Sequence, residues 1–269
     1  MSKILVLGAR GKTGRRVAAR LRELGVPHRP ASRAGDVPFD WNDPGTWDAA
    51  LDDVHGVYLV RPELHPDDLL RAFTARAVTR GAERLVLLSA RAGGPGLDRP
   101  RERIVQQSGA AWTVLRPTWY FQNFSEGMFA GAVRSGELRL PAGAGREAFV
   151  DAGDVAEAAV AALTGDGHHE QVYELSGPQP LSLAEVVAAI SEGSGLAVRY
   201  RPVTPGAYVS ELTAAGRSGP FAELQARLLT WVSQDEGAHV SDGVERALSR
   251  PPRPFAAFVK QAAAEGAWA

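Results

Sequence analysis

The chain has 269 residues, 45% of them hydrophobic and 23% charged, with a formal net charge of −1 and no cysteine. That is enough to bury one large α/β domain or a domain with a small appendage, and the missing cysteine excludes disulfides, thiolate catalysis and cysteine-ligated zinc. No block of like charge announces nucleic acid, no apolar run spans a membrane, and residues 4–7 are too short for a signal-peptide core. A cytoplasmic protein that acts on a small molecule as a monomer or homodimer is therefore expected.

Ile4 to Leu7 reads as an apolar strand that runs straight into Gly8-Ala-Arg-Gly11-Lys-Thr-Gly14 and then an amphipathic helix from Lys12 to about Leu24, ended by Gly25. Three glycines at this spacing suit a dinucleotide cradle: one for the tight turn, one for close approach of backbone to pyrophosphate, one for packing of helix on strand. The positive end of the helix then faces the anion. Further strands are expected at 28–32, 37–39, 56–60, 84–88 and 112–115, with helices near 46–51, 66–80 and 99–107. This alternation predicts an α/β fold with a doubly wound parallel Rossmann sheet, whose ligands bind at the carboxyl ends of the strands. A helix at 154–163 and a strand at 172–175 belong to the same sheet domain. The last third turns helical, near 182–192, 205–214, 221–231, 242–248 and 255–264. An NAD(P)-binding domain over 1–176 and a smaller substrate-side lobe over 177–269 are expected, packed together because no low-complexity linker parts them.

Cofactor choice turns on the end of the second strand, Ala31-Ser32-Arg33, where an NAD enzyme commonly carries an acid for the ribose hydroxyls. With no carboxylate at 31 or 32, Arg33 and Arg10 suit a 2′-phosphate, so NADP(H) is expected over NAD(H), although Asp36 is close. Asp40 and Trp41, in Phe39-Asp-Trp, suit adenine; Asp40 equally suits a turn. Val60, Arg61 and Ser89 end central strands, where ribose and nicotinamide lie; a turn-forming role for Ser89 carries equal weight. After the sixth strand, Arg116-Pro117-Thr118-Trp119-Tyr120-Phe121-Gln122-Asn123-Phe124 places an aromatic cluster over the expected nicotinamide site, with Pro117 and Thr118 against the cofactor. No metal-binding motif or nucleophile elbow is present.

With Gly8-x-x-Gly11-x-x-Gly14, Arg33, Ser89, Leu115-Arg-Pro117, the Phe149-Val-Asp-Ala-Gly-Asp154 run and Tyr173-Glu-Leu-Ser-Gly-Pro178, the chain resembles the NmrA-like atypical short-chain dehydrogenases/reductases over nearly its whole length. A looser likeness, through the glycine loop and Phe39-Asp-Trp41, is to the ergot-alkaloid iminium reductases typified by festuclavine dehydrogenase. The resemblance implies NADP(H) across the strand ends and substrate beneath the C-terminal lobe, but spans reductases and cofactor-sensing regulators without turnover. One departure stands out. Only three of the 30 basic residues are lysines, Lys3, Lys12 and Lys260, and none follows a tyrosine by four positions, so the Tyr-x-x-x-Lys acid of ordinary members is missing. An NADPH-dependent reductase of an already electrophilic acceptor, a quinone, iminium ion or enone, is the leading expectation. In it Gly8, Gly11, Lys12, Thr13 and Gly14 hold pyrophosphate, while Tyr120 shapes the nicotinamide face or donates a proton and Asn123 orients substrate. A non-catalytic NADP(H) sensor and a cofactor-using isomerase or epimerase are the alternatives.

Overall fold

The computed structural model describes residues 3–61, 66–91 and 99–269; Pro62, beside the expected strand end at Val60-Arg61, lies outside them. In chain order the first elements are β1 (Lys3–Leu7), α1 (Gly14–Glu23), β2 (His28–Ser32), β3 (Val37–Pro38), α2 (Trp47–Leu51), β4 (Val54–Leu59), α3 (Asp67–Thr79), β5 (Arg84–Leu88), α4 (Pro100–Gln106) and β6 (Ala111–Pro117). There follow α5 (Ala130–Arg134), β7 (Glu137–Leu140), β8 (Arg146–Glu147), α6 (Ala152–Thr164), β9 (Gln171–Leu175), β10 (Leu181–Ser182), α7 (Leu183–Ser194), β11 (Arg199–Pro202), α8 (Pro205–Ala214), α9 (Gly219–Ser233), α10 (Gly243–Leu248) and α11 (Phe255–Ala264).

Seven strands form one sheet in the order β3-β2-β1-β4-β5-β6-β9, and every pairing in it is parallel. Strand order reverses between β1 and β4, the switch point at which doubly wound sheets hold their ligands. β1 shows why its sequence is apolar throughout: Leu5 and Leu7 pack into the core on one face, Ile4 and Val6 into the core on the other. On the second face α1 buries the stripe Val17, Ala18 and Leu21, and the alanine-rich α6 is nearly all buried behind it. Asp151 starts α6 by accepting from Gly153 N at 2.6 Å, and α7 opens on a capping box between Ser182 and Glu185.

Packing of the smaller lobe crosses the boundary expected at 176/177. Its core joins Phe121, Phe124, Phe129 and Phe149 to Ile190, Leu229, Phe255 and Phe258, so much of the stretch from 121 to 149 packs with the C-terminal helices, while Tyr120 and Val150 at its two ends pack against the sheet. Within it lie the elements absent from the sequence expectation. β8 pairs with β10 antiparallel, and β7 pairs with β11 in parallel. These four strands have two or four residues each and carry no period long enough to read.

Candidate active site

At the end of β1 the glycine loop turns back on itself: Gly8 adopts φ +62° and its carbonyl accepts from Gly11 N at 2.7 Å. A Cβ on Gly14 would overlap the carbonyl of Gly8, so helix and turn meet at a contact only glycine permits. Thr13 precedes α1 without a side-chain cap, and the N–H groups of Lys12 and Thr13 have no partner among the described residues. Orphan donors at a helix N-terminus above a glycine turn are what a pyrophosphate requires, so the loop fits the dinucleotide. Thr13 itself is 5% exposed and its hydroxyl lies on the buried phenol of Tyr58, under the loop.

Arg10 Nη1 donates to Ala34 O at 3.3 Å, which draws Arg10 onto the turn that carries Arg33. Both guanidinium groups are exposed, and Arg33 has no hydrogen bond or ion pair among the described residues. Asp36 shares the turn and is exposed too.

Other sequence-expected residues have internal partners. Asp40 Oδ1 accepts from Asn42 N at 2.9 Å in a turn. Trp41 is 6% exposed, packs edge-on against Phe39 and Phe73, and donates from Nε1 to Val60 O at 3.1 Å. That bond holds the end of β4 beneath the loop, where Val60 supports Gly8. Arg61 Nη2 donates to Asp67 Oδ1 at 2.6 Å. Ser89 donates to Glu102 Oε1 at 2.6 Å, and Glu102 also holds Arg116. Thr118 Oγ1 donates to Ala148 O at 2.7 Å, beside the buried Pro117.

Lys12 leaves the loop and donates to Asn123 Oδ1, with its ammonium 5.4 Å from the centre of the Tyr120 ring. One helical turn on, Arg15 and Arg16 both pair with Glu126, so the turn after β6 is tied to the glycine loop at one point and to α1 at two. Burial pulls the Lys12 ammonium down to about 8 against the opposing charge of Glu126, while burial beside Tyr58 pushes the Tyr120 phenol well above its ordinary value. Sequence spacing did not reveal this contact, which joins residues 111 apart; the scarcity of lysine was the available signal.

Beyond Lys12 a cavity of about 290 Å³ opens. It is lined by Pro117 to Tyr120 and Asn123, by Gln225, Leu228 and Trp231 of α9, and by Arg91, Glu147 and Gly237. Of the expected aromatic cluster, Trp119, Tyr120 and Trp231 line the cavity, whereas Phe121, Phe124 and Tyr208 are core. Glu147, Arg91 and Gln225 were not foreseen, since no motif contains them.

No family model matches the chain. It is 36% identical over 289 residues to the NAD(P)H azoreductase of Xenophilus azovorans, covering 98% of this chain and 99% of that protein. The chain belongs to the NmrA-like atypical short-chain dehydrogenases/reductases. A second relative, the (4-alkanoyl-5-oxo-2,5-dihydrofuran-3-yl)methyl phosphate reductase of Streptomyces griseus, is 35% identical over 274 residues, with 94% of this chain and 95% of that protein covered. Among solved structures, the NADPH-dependent quinone oxidoreductase of Escherichia coli in complex with NADPH superposes with a TM-score of 0.81 at 23% identity over 97% of this chain and 99% of that one, in keeping with the Rossmann fold. As an NmrA-like member the protein is an NAD(P)H-dependent oxidoreductase, and no helix among the described residues is long and apolar enough to cross a membrane.

Proposed function

We propose that the protein is an NADPH-preferring reductase of small conjugated acceptors of the quinone, iminium or enone type. The observation that carries this reading is Lys12: it belongs to the glycine cradle and to the wall of an aromatic cavity at once. A pyrophosphate site and an enclosed pocket that share a residue fit a hydride donor and acceptor held in contact. A sensor has no use for that cavity.

Bound NADPH supplies the hydride. Gly8, Gly11 and Gly14 admit the pyrophosphate, the N–H groups of Lys12 and Thr13 bind it, and Arg10 and Arg33 select a 2′-phosphate from the open turn. Asn123, fixed by Lys12, orients the acceptor, and Trp119 and Trp231 hold its plane. Tyr120 serves as a shelf; its desolvated phenol is a poor acid. The azo and dihydrofuranone reductase names of the two relatives support a conjugated acceptor.

The test is NADPH and NADH binding by fluorescence, then oxidation of NADPH by a panel of quinones, cyclic iminium ions and enones. Tighter NADPH binding and turnover of at least one class are expected. Tight binding without oxidation by any acceptor overturns the reading.

A further inference from the structure

The reductase reading leaves one atom unaccounted for. A quinone, an azo compound or an enone that accepts hydride becomes an anion and then needs a proton, and neither a Tyr-x-x-x-Lys pair nor the Tyr120 phenol provides it. We propose, resting on that reading, that Glu147 is the acid that protonates the acceptor, with Arg91 as its electrostatic partner.

Glu147 sits in the two-residue strand β8 and is 4% exposed, yet its carboxylate has no hydrogen bond or ion pair with any described residue. It lies against the Cα of Gly237, where any side chain would displace it, and it lines the same cavity as Lys12, Tyr120 and Asn123. Two more groups line this cavity. Arg91 donates from Nη2 to Gly237 O at 2.6 Å, but its Nη1 is buried without a partner among the described residues, as is Gln225 Oε1. Buried polar atoms in proteins are nearly always paired, so two buried unmatched atoms beside a carboxylate without a partner, all lining one cavity, describe the complement of a ligand: an acid and a cationic donor on an electron-rich atom, an acceptor beside them.

Charge sets the kind of ligand. Lys12 and Arg91 both put positive charge on the lining of the cavity, Glu236 lies at its exposed rim, and Asp235 is engaged by Arg146 N at 2.7 Å. The Arg146 side chain turns away to Glu185. An atom that gains negative charge during reduction is thus stabilised. Burial pushes the Glu147 carboxyl up to about 7, with Arg91 pulling against it, so the protonated form is present at neutral pH. In the step, the hydride brings two electrons and one hydrogen to a quinone and leaves the hydroquinone monoanion. The Glu147 O–H bond breaks as the second oxygen takes its proton, and the carboxylate regains one from water after product leaves.

Two bicyclic probes of similar size separate this role from a structural one: 1,4-naphthoquinone, whose reduction consumes a proton, and N-methyl-3,4-dihydroisoquinolinium, which becomes a neutral amine on hydride transfer alone. Glu147→Gln should lower kcat/KM for naphthoquinone by about 100-fold and abolish the decline of its rate above about pH 7, with a loss for the iminium ion at least about tenfold smaller. Glu147→Asp should restore part of the naphthoquinone rate. Infrared titration of the folded protein should show a protonated-carboxyl stretch lost near pH 7 in wild type and missing in Glu147→Gln, a readout independent of turnover; thermal melts confirm that both variants fold. Equal losses for the two probes, or a naphthoquinone profile unchanged in shape, overturn the assignment while leaving the reductase reading intact. Wild type that binds NADPH and reduces neither probe overturns both.

Discussion

The two ends of the cleft are built by different means. At the glycine loop the ligand surface is backbone, fixed by contacts between residues a few positions apart: Gly8 beneath Gly14, Gly11 N on Gly8 O. The acceptor cavity is all side chains, brought together from Arg91, the turn after β6, β8 and α9. The first surface cannot change residue without changing shape, whereas the second changes chemistry residue by residue at constant shape. Such a division suits a family with one cofactor and many acceptors.

The largest test of this contrast is Gly14→Ala. Its methyl overlaps the Gly8 carbonyl, so NADPH affinity should fall by more than about 100-fold, and chain stability by about 2 kcal/mol, as read by fluorescence titration and urea unfolding. Affinity within about threefold of wild type would mean that the loop is not the rigid end.

Next in size are two pH effects of opposite sign at the other end. Lys12 holds its proton less tightly folded, near 8, than in an ordinary lysine at 10.5, so between those values the unfolded chain binds more protons and stability rises with pH. Lys12→Met should erase that rise. Glu147 lies near 7 when folded against 4.5; the stability it contributes is full below 4.5 and lost as pH rises through 7. Glu147→Gln should therefore gain on wild type across that window, by about 3 kcal/mol, in urea unfolding at stepped pH. A pH-independent difference would contradict burial as the cause.

A smaller effect is expected where the cofactor meets open solvent. Arg33→Ala should weaken NADPH by about tenfold, some 1.4 kcal/mol, and leave NADH nearly unchanged; equal losses for both cofactors would remove the 2′-phosphate role. Smallest is Trp41→Phe, which loses one hydrogen bond to Val60 O and should cost about 1 kcal/mol in unfolding free energy with little change in NADPH affinity. A large affinity loss would restore an adenine contact to Trp41.

The same contrast explains what could be read in the sequence. The sheet and its glycine loop were legible because β1 and β5 carry continuous apolar runs and the loop's constraint is local, visible as three glycines in seven residues. Trp41 was harder, since a tryptophan at a strand end looks alike whether it faces a ligand or, as here, props up Val60. The acceptor cavity was half legible: Trp119, Tyr120 and Asn123 follow a strand, but Glu147 stands between Arg146 and Ala148 with nothing local to mark it. Its meaning depends on Arg91, Gln225 and Gly237, each more than fifty residues away in the chain, and on a pairing between two strands of two residues each.

The interleaved packing of the smaller lobe bears on how the molecule comes apart. Phe121 and Phe124, which lie between β6 and α6 in chain order, find their aromatic partners in Phe255 and Phe258 near the C-terminus, and Asp154 inside α6 is held by Arg250 and Arg253. A truncation at 176 would strip those rings and strand a buried carboxylate, so neither lobe is a folding unit. The cleft and its cofactor loop should therefore melt together in one transition, which thermal melts with and without NADPH would check, and a fragment carrying the whole glycine motif should not substitute for the full chain.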